Sequence, residues 1–337
     1  MDQQPWIAQR VQLKFFFGGI RLGSAAFRTA ILPRSPETAP PYETPSFPFG
    51  QFPAGVDVVY TPSHPIPGRL PRFSFFRYGA RYVPQQYRRY SLSLTGRFED
   101  YLGTFSSKSR FTLRKKVRKV AERCGGTIPW RLYRTPAEIM EFYDLARQVS
   151  QRTYQEQLLS AGLPATDEFR ERIREAAARD AIRGFLLFDG EKPIAYLCCP
   201  IKGGIVAYDY VGHDHEYQDW SPGVVLLYSA LEYLHQEGIH SAFDFTEGEG
   251  QLKEVFSRSS TECAEVYYFR WSARHFVILS LHTALELGSA AGAWALRVLR
   301  LKPVAKRVMR ALAHRKGAAE KPCQPERLPE LAEGVSA

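Results

Sequence analysis

Cysteine is scarce and unpatterned in this 337-residue chain. Cys124, Cys198, Cys199, Cys263 and Cys323 form no CxxC pair and no Cys/His set with metal-ligand spacing. Their odd number argues against a disulfide framework, so a reducing compartment is expected. The first residues lack the basic, apolar and small-residue succession of a signal peptide, because Phe15 to Phe17 is a short aromatic run within a strand-like segment. A cytoplasmic location follows as an expectation. No repeat of about 20 to 50 residues organises the chain. Serines near Asp57 and His64 lack a GxSxG elbow, which removes the usual support for Ser/His/Asp hydrolysis. RRM, KH and helix-turn-helix patterns are missing too, so nothing points independently to nucleic acid. His213 and His215 have no third ligand at a convincing spacing; they read as a surface turn, and no metal is expected. An uninterrupted apolar span is also lacking. The stretch Phe276 to Leu299 is broken by His282, Glu286 and Arg297 and diluted by glycine and alanine.

What the chain does contain is apolar and basic. With 45% hydrophobic and 13% aromatic residues it can bury the core of one large or two modest domains. Its net charge of +10 favours acidic partners: phosphates, nucleic acid, anionic lipid or an acidic glycan. Residues 1 to about 89 alternate short apolar segments with the proline-rich connections Ile31 to Pro53 and Tyr60 to Pro71, which predicts a small strand-rich lobe. A strand at Tyr90 to Leu94 and helices at Ser107 to Arg123, Pro136 to Arg152 and Asp167 to Arg179 follow, with a strand near Ile128 to Tyr133. Strands at Arg183 to Phe188 and Pro193 to Cys199 flank Asp189-Gly190, a strong hairpin signal. A strand at Glu265 to Trp271 closes the order, and a mixed α/β sheet covered by helices is the predicted class. The tail, 273–316, is helical in pattern and basic beyond Leu299; it packs on the protein or lies in the plane of a membrane surface. Residues 317–337 read as disordered.

The chemistry concentrates between Ile205 and Phe256. Ile205 to Gly212 reads as a strand, and Ser221-Pro222-Gly223 opens a helix that ends at Gly238, with Ser221 as the N-cap. Unpaired N–H groups at such a helix start favour an anion. Ser241 to Phe245 then leads into Thr246-Glu247-Gly248-Glu249-Gly250, which gathers carboxylates at a strand's carboxyl end. Asp244 alternates with Phe243 and Phe245, so it faces away from two core aromatics. With Glu247 it is a candidate base, and Lys253 could orient a carboxylate or neutralise substrate charge. Asp244 as a cap and Glu247 and Glu249 as solvated turn residues remain alternatives. Tyr267 and Tyr268 face opposite ways on one strand and read as packing.

This ordered set, a tyrosine-rich strand, SPG opening a helix, FDF, an acidic glycine-rich turn and Lys253, resembles the CelD-like branch of the GNAT acyltransferases (the BioF2-like acetyltransferase domain), related to the FemAB aminoacyltransferases. Tyr90 to Leu94 and the basic helix that ends at Gly125-Gly126 extend the resemblance to about residues 90–272. Leu252 stands where family members often carry a tyrosine, so that tyrosine's role lapses here.

The resemblance implies a GNAT fold with two splayed parallel strands, and a first lobe that is either a degenerate GNAT-like half or an irregular extension. It implies acetyl-CoA or another acyl-CoA as co-substrate, with a main-chain N–H of Tyr210, Val211 or Gly212 facing the thioester. The pyrophosphate would lie over Ser221, Pro222, Gly223 and Val224. The implied reaction is direct N- or O-acyl transfer to a sugar, polysaccharide precursor or lipid-linked intermediate. An aminoacyl-tRNA donor, or an inactive GNAT-like binding module, are the competing readings. The helix rich in Lys and Arg, with Phe111, Leu113, Val117 and Val120 expected inward, is either a solvated face or a site for an acidic acceptor, CoA phosphate or tRNA.

Overall fold

A computed structural model describes residues 6–17, 20–32, 45–153, 162–248 and 250–298. In chain order the strands and helices are β1 (Ile7–Phe17), β2 (Ile20–Ile31), β3 (Val58–Pro65), β4 (Phe73–Phe76), β5 (Gly79–Tyr82), β6 (Gln86–Ser93), α1 (Phe98–Gly103), α2 (Ser107–Arg123), β7 (Trp130–Tyr133), α3 (Pro136–Gln151) and α4 (Asp167–Ala178). They continue as β8 (Ile182–Asp189), β9 (Lys192–Lys202), β10 (Ile205–Ala207), β11 (Tyr210–His213), a 3-10 helix (His215–Trp220), α5 (Pro222–Glu237), β12 (Ala242–Asp244), α6 (Gln251–Phe256), β13 (Ser259–Arg270) and α7 (Ala273–Val298). Two compact units result: Arg89–Ser260, and the described parts of Met1–Arg88 with Thr261–Ala337. The expected continuation of the tail over 299–316, the expected disordered end and Glu249 lie outside the described residues.

The Arg89–Ser260 unit is built on a mixed sheet in the order β6, β12, β10, β9, β8, β7. β8 and β9 pair antiparallel around Asp189-Gly190, and Gly190 has a φ of 59°, the left-handed turn conformation that glycine adopts without strain. β10 and β12 run parallel, Ile205 opposite Ala242 through Ala207 opposite Asp244. Side chains alternate along β8 and β9 apart from an irregularity at Leu187 and Phe188, opposite which Ile194 and Ala195 join the same core. Phe185, Leu187, Ala195, Leu197 and Cys199 pack into one core with α1, α2 and α5, while Ile182, Leu186, Tyr196 and Cys198 pack into another with α3 and α4. Gly184 carries no side chain because the Phe142 ring of α3 lies where a Cβ would be, 2.8 Å away.

α2, α3 and α4 each have a local reason to start where they do. Ser106 caps α2 through the Ser109 N–H, Thr135 and Glu138 form a capping box on α3, and Thr166 caps α4 through the Phe169 N–H. α5 buries Val225, Leu226, Leu227, Leu231 and Leu234, each burial worth roughly 1.5–3 kcal/mol, and ends at Gly238 in the left-handed conformation. On α2 the inward stripe is Leu113, Val117 and Val120; Phe111, expected to join it, is 66% exposed. Two residues before Leu113, it lies about 200° around the helix from that stripe. Arg183, fully buried on β8, is held by Asp180 at 2.7 Å and by Glu237 at the end of α5 at 2.9 Å. That carboxylate pair offsets the cost of placing a guanidinium inside.

In the other unit β1 and β2 form a long antiparallel hairpin, β2 runs parallel to β3, and β3 and β5 each pair antiparallel with β13. β4 pairs with β5, and α7 packs on β1. Leu13, Phe27, Val58, Tyr82, Phe269 and Leu279 share one core. Tyr267 stacks on Tyr60 at 4.3 Å, and the Tyr268 hydroxyl donates to the Ser46 carbonyl, so both tyrosines are structural packing.

Candidate active site

The expected single strand from Ile205 to Gly212 is two strands, and the break shapes the site. Ile205 to Ala207 pair with β12, and the Tyr208 N–H still reaches the Asp244 carbonyl at 2.8 Å. Tyr210 to His213 have left that partner and pair only with β9, Tyr210 opposite Cys198 through His213 opposite Ala195. In the same register the Asp214 N–H donates to the Ile194 carbonyl at 2.8 Å. Antiparallel alternation therefore turns the N–H groups of Tyr210 and Gly212 toward β9 and those of Val211 and His213 away from it. Tyr208 and Asp214 share parity yet donate in opposite directions, so the alternation slips by one residue near Asp209, as a bulge does. The Val211 N–H faces the gap where the two parallel strands separate.

That gap opens into a cleft of about 610 Å³, walled by Tyr196, Leu197 and Tyr208, by Val211 to His213 and by Ser221 to Val224. Of the residues expected to hold a cofactor, Val211, Gly212, Ser221, Pro222, Gly223 and Val224 line it. Tyr210 does not: its ring meets Phe169 at 5.0 Å on the α4 side of the sheet. Gly212 is glycine for a steric reason, because a Cβ there would stand 2.5 Å from the Tyr196 ring and 2.8 Å from Thr153 Cγ2. Gly223 differs. A Cβ there would enter open space with only His213 Nδ1 nearby, at 3.8 Å.

Ser221 is not the ordinary N-cap expected. It has a φ of 52° and a ψ of 49°, a left-handed conformation uncommon outside glycine, and its side chain makes no capping bond. A 3-10 helix that the sequence reading missed delivers the chain to it. Its own N–H donates to the Gln218 carbonyl, and the Val224 and Val225 N–H groups both turn back to the Ser221 carbonyl. With Pro222 lacking a donor, the Gly223 N–H is the free donor of this first turn among the described residues. The start of α5 therefore offers an anion one backbone N–H, the positive end of a 16-residue helix and the uncapped Ser221 hydroxyl. A cationic group adjoins the preceding residue: Arg123 lies over the Trp220 ring at 5.3 Å.

Asp244, Glu247 and Lys253 do not line this cleft; they stand together at the turn after β12. Both Asp244 oxygens lie 3.0 Å from Arg89 Nε, Arg89 Nη2 binds Oδ2 as well, and the Thr246 N–H donates to Oδ1 at 2.9 Å. Glu247 is exposed, and its carbonyl accepts from Lys253 Nζ at 2.6 Å. Burial draws the Lys253 ammonium below its ordinary pKa, against the pull of Glu247 and Asp244. Thr246, held at a φ of 60°, donates its hydroxyl to the Tyr208 carbonyl at 3.1 Å. This cluster ties the end of β12 to the strand segment that begins the cleft.

Two cleft residues carry chemistry that the sequence reading did not assign. Tyr208 is buried against Phe243 and Phe245, and its hydroxyl has no hydrogen-bond partner among the described residues. Burial pushes its pKa well above the ordinary phenol value, so it stays protonated. His213, expected in a surface turn, is exposed as expected but ends a strand, β11, and lines the cleft beside Gly223. Partial desolvation of its ring lowers its pKa, against the opposing pull of the neighbouring Asp214 carboxylate. Asp214 itself is buried. Burial alone would raise its pKa, but the Glu216 N–H and Lys192 hold it below the usual carboxylate value, with Arg152 adding to the effect. The signal for His213 lay in the sequence, immediately after a strand of the predicted site. Among the described residues no group of three or more His, Cys, Asp or Glu side chains could hold a metal ion.

Residues 107–254 match the family described as the acetyltransferase (GNAT) domain. This domain belongs to the GNAT acyltransferases. The match covers α2 through α6 and so contains the whole cleft. No curated protein matches the chain. Solved structures show distant likenesses. L-PGS from Bacillus licheniformis is 17% identical, with 62% of this chain and 66% of that one covered and a TM-score of 0.38. The C-terminal domain of a putative lysylphosphatidylglycerol synthetase from Agrobacterium fabrum is 14% identical over 69% and 73%, with a TM-score of 0.44. FemX is 10% identical over 81% and 90%, at 0.46. The chain thus spans just under two thirds of the Bacillus protein, and likenesses this distant add nothing to the family match.

Proposed function

We propose that this GNAT domain transfers an acyl group from acyl-CoA, with acetyl-CoA the expected donor, to an amine or hydroxyl of a sugar, a polysaccharide precursor or a lipid-linked intermediate. The observation that carries the reading is the cleft itself: an outward Val211 N–H where the parallel strands part, beside a helix start with a free Gly223 N–H. A thioester carbonyl needs such a donor as negative charge develops on its oxygen, and a pyrophosphate needs such a helix start. His213, neutral near pH 7, takes the proton of the attacking nitrogen or oxygen as its bond to the carbonyl carbon forms. When the C–S bond breaks, the Tyr208 hydroxyl supplies a proton to the departing thiolate and is restored from solvent. No covalent enzyme intermediate is required.

Thermal shift separates the donors. Acetyl-CoA at a hundred times its Kd should stabilise the protein by about 2.7 kcal/mol, whereas a charged tRNA should not. A response to the charged tRNA alone would transfer the assignment to an aminoacyl-tRNA-dependent enzyme. A response to neither would leave a binding module.

A further inference from the structure

α7 is turned the opposite way from an ordinary surface helix. Beside the core residue Leu279, its inward side carries polar groups, each with a partner: His275 Nδ1 lies 2.8 Å from the Arg270 carbonyl, His282 Nδ1 2.6 Å from the Tyr82 hydroxyl, and Glu286 2.6 Å from Arg72. Its outward side carries large apolar residues. Phe276 is 67% exposed, Leu281 52% and Leu287 61%, and Val277 is open beside them. A helix in water normally shows the reverse pattern.

The outward face continues onto neighbouring strands of the same unit. Phe73, Phe75, Trp271, Phe276, Leu279 and Leu287 line a groove of about 520 Å³ along the helix. Phe75, 69% exposed, stacks on Trp271 at 5.8 Å. At the other end a Cβ on Gly288 would stand 3.2 Å from Phe17, whose neighbour Phe16 is also exposed at the tip of the β1–β2 hairpin. A contiguous exposed apolar surface of this kind marks something that covers it.

The charges around the groove indicate what that is. Among the described residues its one charged lining residue is Arg270, and no Asp or Glu lines it. Arg274 follows on the first turn of α7, and the Arg77 carbonyl accepts the Trp271 indole N–H at 3.3 Å, which places a third arginine beside that ring. The sequence after Val298 adds Arg300, Lys302, Lys306, Arg307 and Arg310. Aromatic rings with flanking arginines fit the boundary between headgroups and acyl chains of an anionic bilayer. No helix among the described residues is long and apolar enough to cross a membrane. We infer that the outward face of α7, with Phe75 and Trp271, docks this protein in the plane of an anionic phospholipid surface. The inference stands apart from the acyl-transfer reading, since none of its residues belongs to the cleft.

Co-sedimentation of the full chain with vesicles of phosphatidylcholine, and of phosphatidylcholine mixed with phosphatidylglycerol, tests it. The chain should partition onto the mixed vesicles and be released as salt rises. Phe276→Ser with Leu281→Ser should weaken that partitioning at least about tenfold, because two large apolar side chains no longer leave water. Phe75→Ser, on a different element, should weaken it in the same direction. Thermal midpoint and acetyl-CoA binding should stay as in the unaltered protein, which separates failure of docking from failure of folding or of the cleft. Wild-type protein that ignores both vesicles would overturn the inference. So would variants that bind as wild type, which would assign binding to the basic sequence alone. A wild-type dimer in solution that the same substitutions dissolve, without vesicle binding, would make the covering surface a second copy of the chain instead.

Discussion

Asp244 is engaged by two nitrogens of Arg89 and by the Thr246 N–H before any substrate arrives. Both partners of this ion pair are largely buried, so removing one leaves the other's charge without compensation. We expect Asp244→Ala to cost about 3–5 kcal/mol in urea unfolding, and Asp244→Asn to cost less because the amide keeps part of the hydrogen bonding. Loss of kcat in Asp244→Asn with stability intact would return the role of base to this carboxylate. His213→Gln and Tyr208→Phe should instead each lower kcat about a hundredfold while acetyl-CoA affinity and unfolding midpoint hold. The two are distinguished by pH. The His213 pKa is depressed, so its folded form binds fewer protons, and the neutral base persists to below the ordinary imidazole value of about 6.5. The acid limb of kcat/KM should therefore lie below that value and vanish in His213→Gln. Tyr208→Phe should keep the limb. An unchanged acid limb in His213→Gln would show that another group accepts the proton.

At the scale of elements the decisive piece is the turn into α5. Gly223 has open space where a side chain would project, so Gly223→Ala should fold normally, and Gly223→Glu should fold yet lose acetyl-CoA binding by placing a carboxylate at the anion site. Calorimetric titration of the folded Gly223→Glu protein checks this, and wild-type affinity would remove the anion from this loop. Much of the framework around that turn is legible from residues. α2 has the predicted bounds, because a capping serine, apolar spacing and glycine punctuation are local signals. Asp189-Gly190 identifies its hairpin for the same reason. What composition does not reveal is a change of partner: Ile205 to His213 is β-prone throughout, yet its first half pairs with β12 and its second half with β9. The slip near Asp209 depends on strands far apart in sequence, and it decides which N–H faces the cleft. The strain at Ser221 and Thr246 is equally invisible, since neither residue type announces a left-handed backbone. The elements around the candidate cleft are thus legible in the sequence, whereas the side chains that line it are not, because exposure to a cleft is a tertiary property.

The net charge of +10 is a property of the whole molecule, and α2 displays a large share of it. Not all of that charge is free to act at a distance. Arg114 is paired with Glu99 at 2.7 Å and Arg118 with Glu122 at 3.5 Å, while Lys115 and Lys119 are exposed and make no ion pair among the described residues. At the far end, Arg123 lies over Trp220, one residue before the turn proposed to hold an anion. One helix can thus serve two ligands. Arg123→Gln should raise KM for acetyl-CoA several-fold and leave the acceptor's unchanged, because removing a cation near a bound phosphate weakens only that partner. Lys115→Gln with Lys119→Gln should do the opposite for an acidic acceptor, raising its KM and flattening its salt dependence. Glutamine keeps helix propensity close to that of lysine and arginine, so neither change should come from unwinding α2. Kinetics at low and high ionic strength, with each substrate varied in turn, resolve the two effects. If both sets raise KM for acetyl-CoA alone, the whole helix serves the donor, and an acidic acceptor loses its support. If neither set changes either KM, the charges of α2 act only in keeping the protein dissolved.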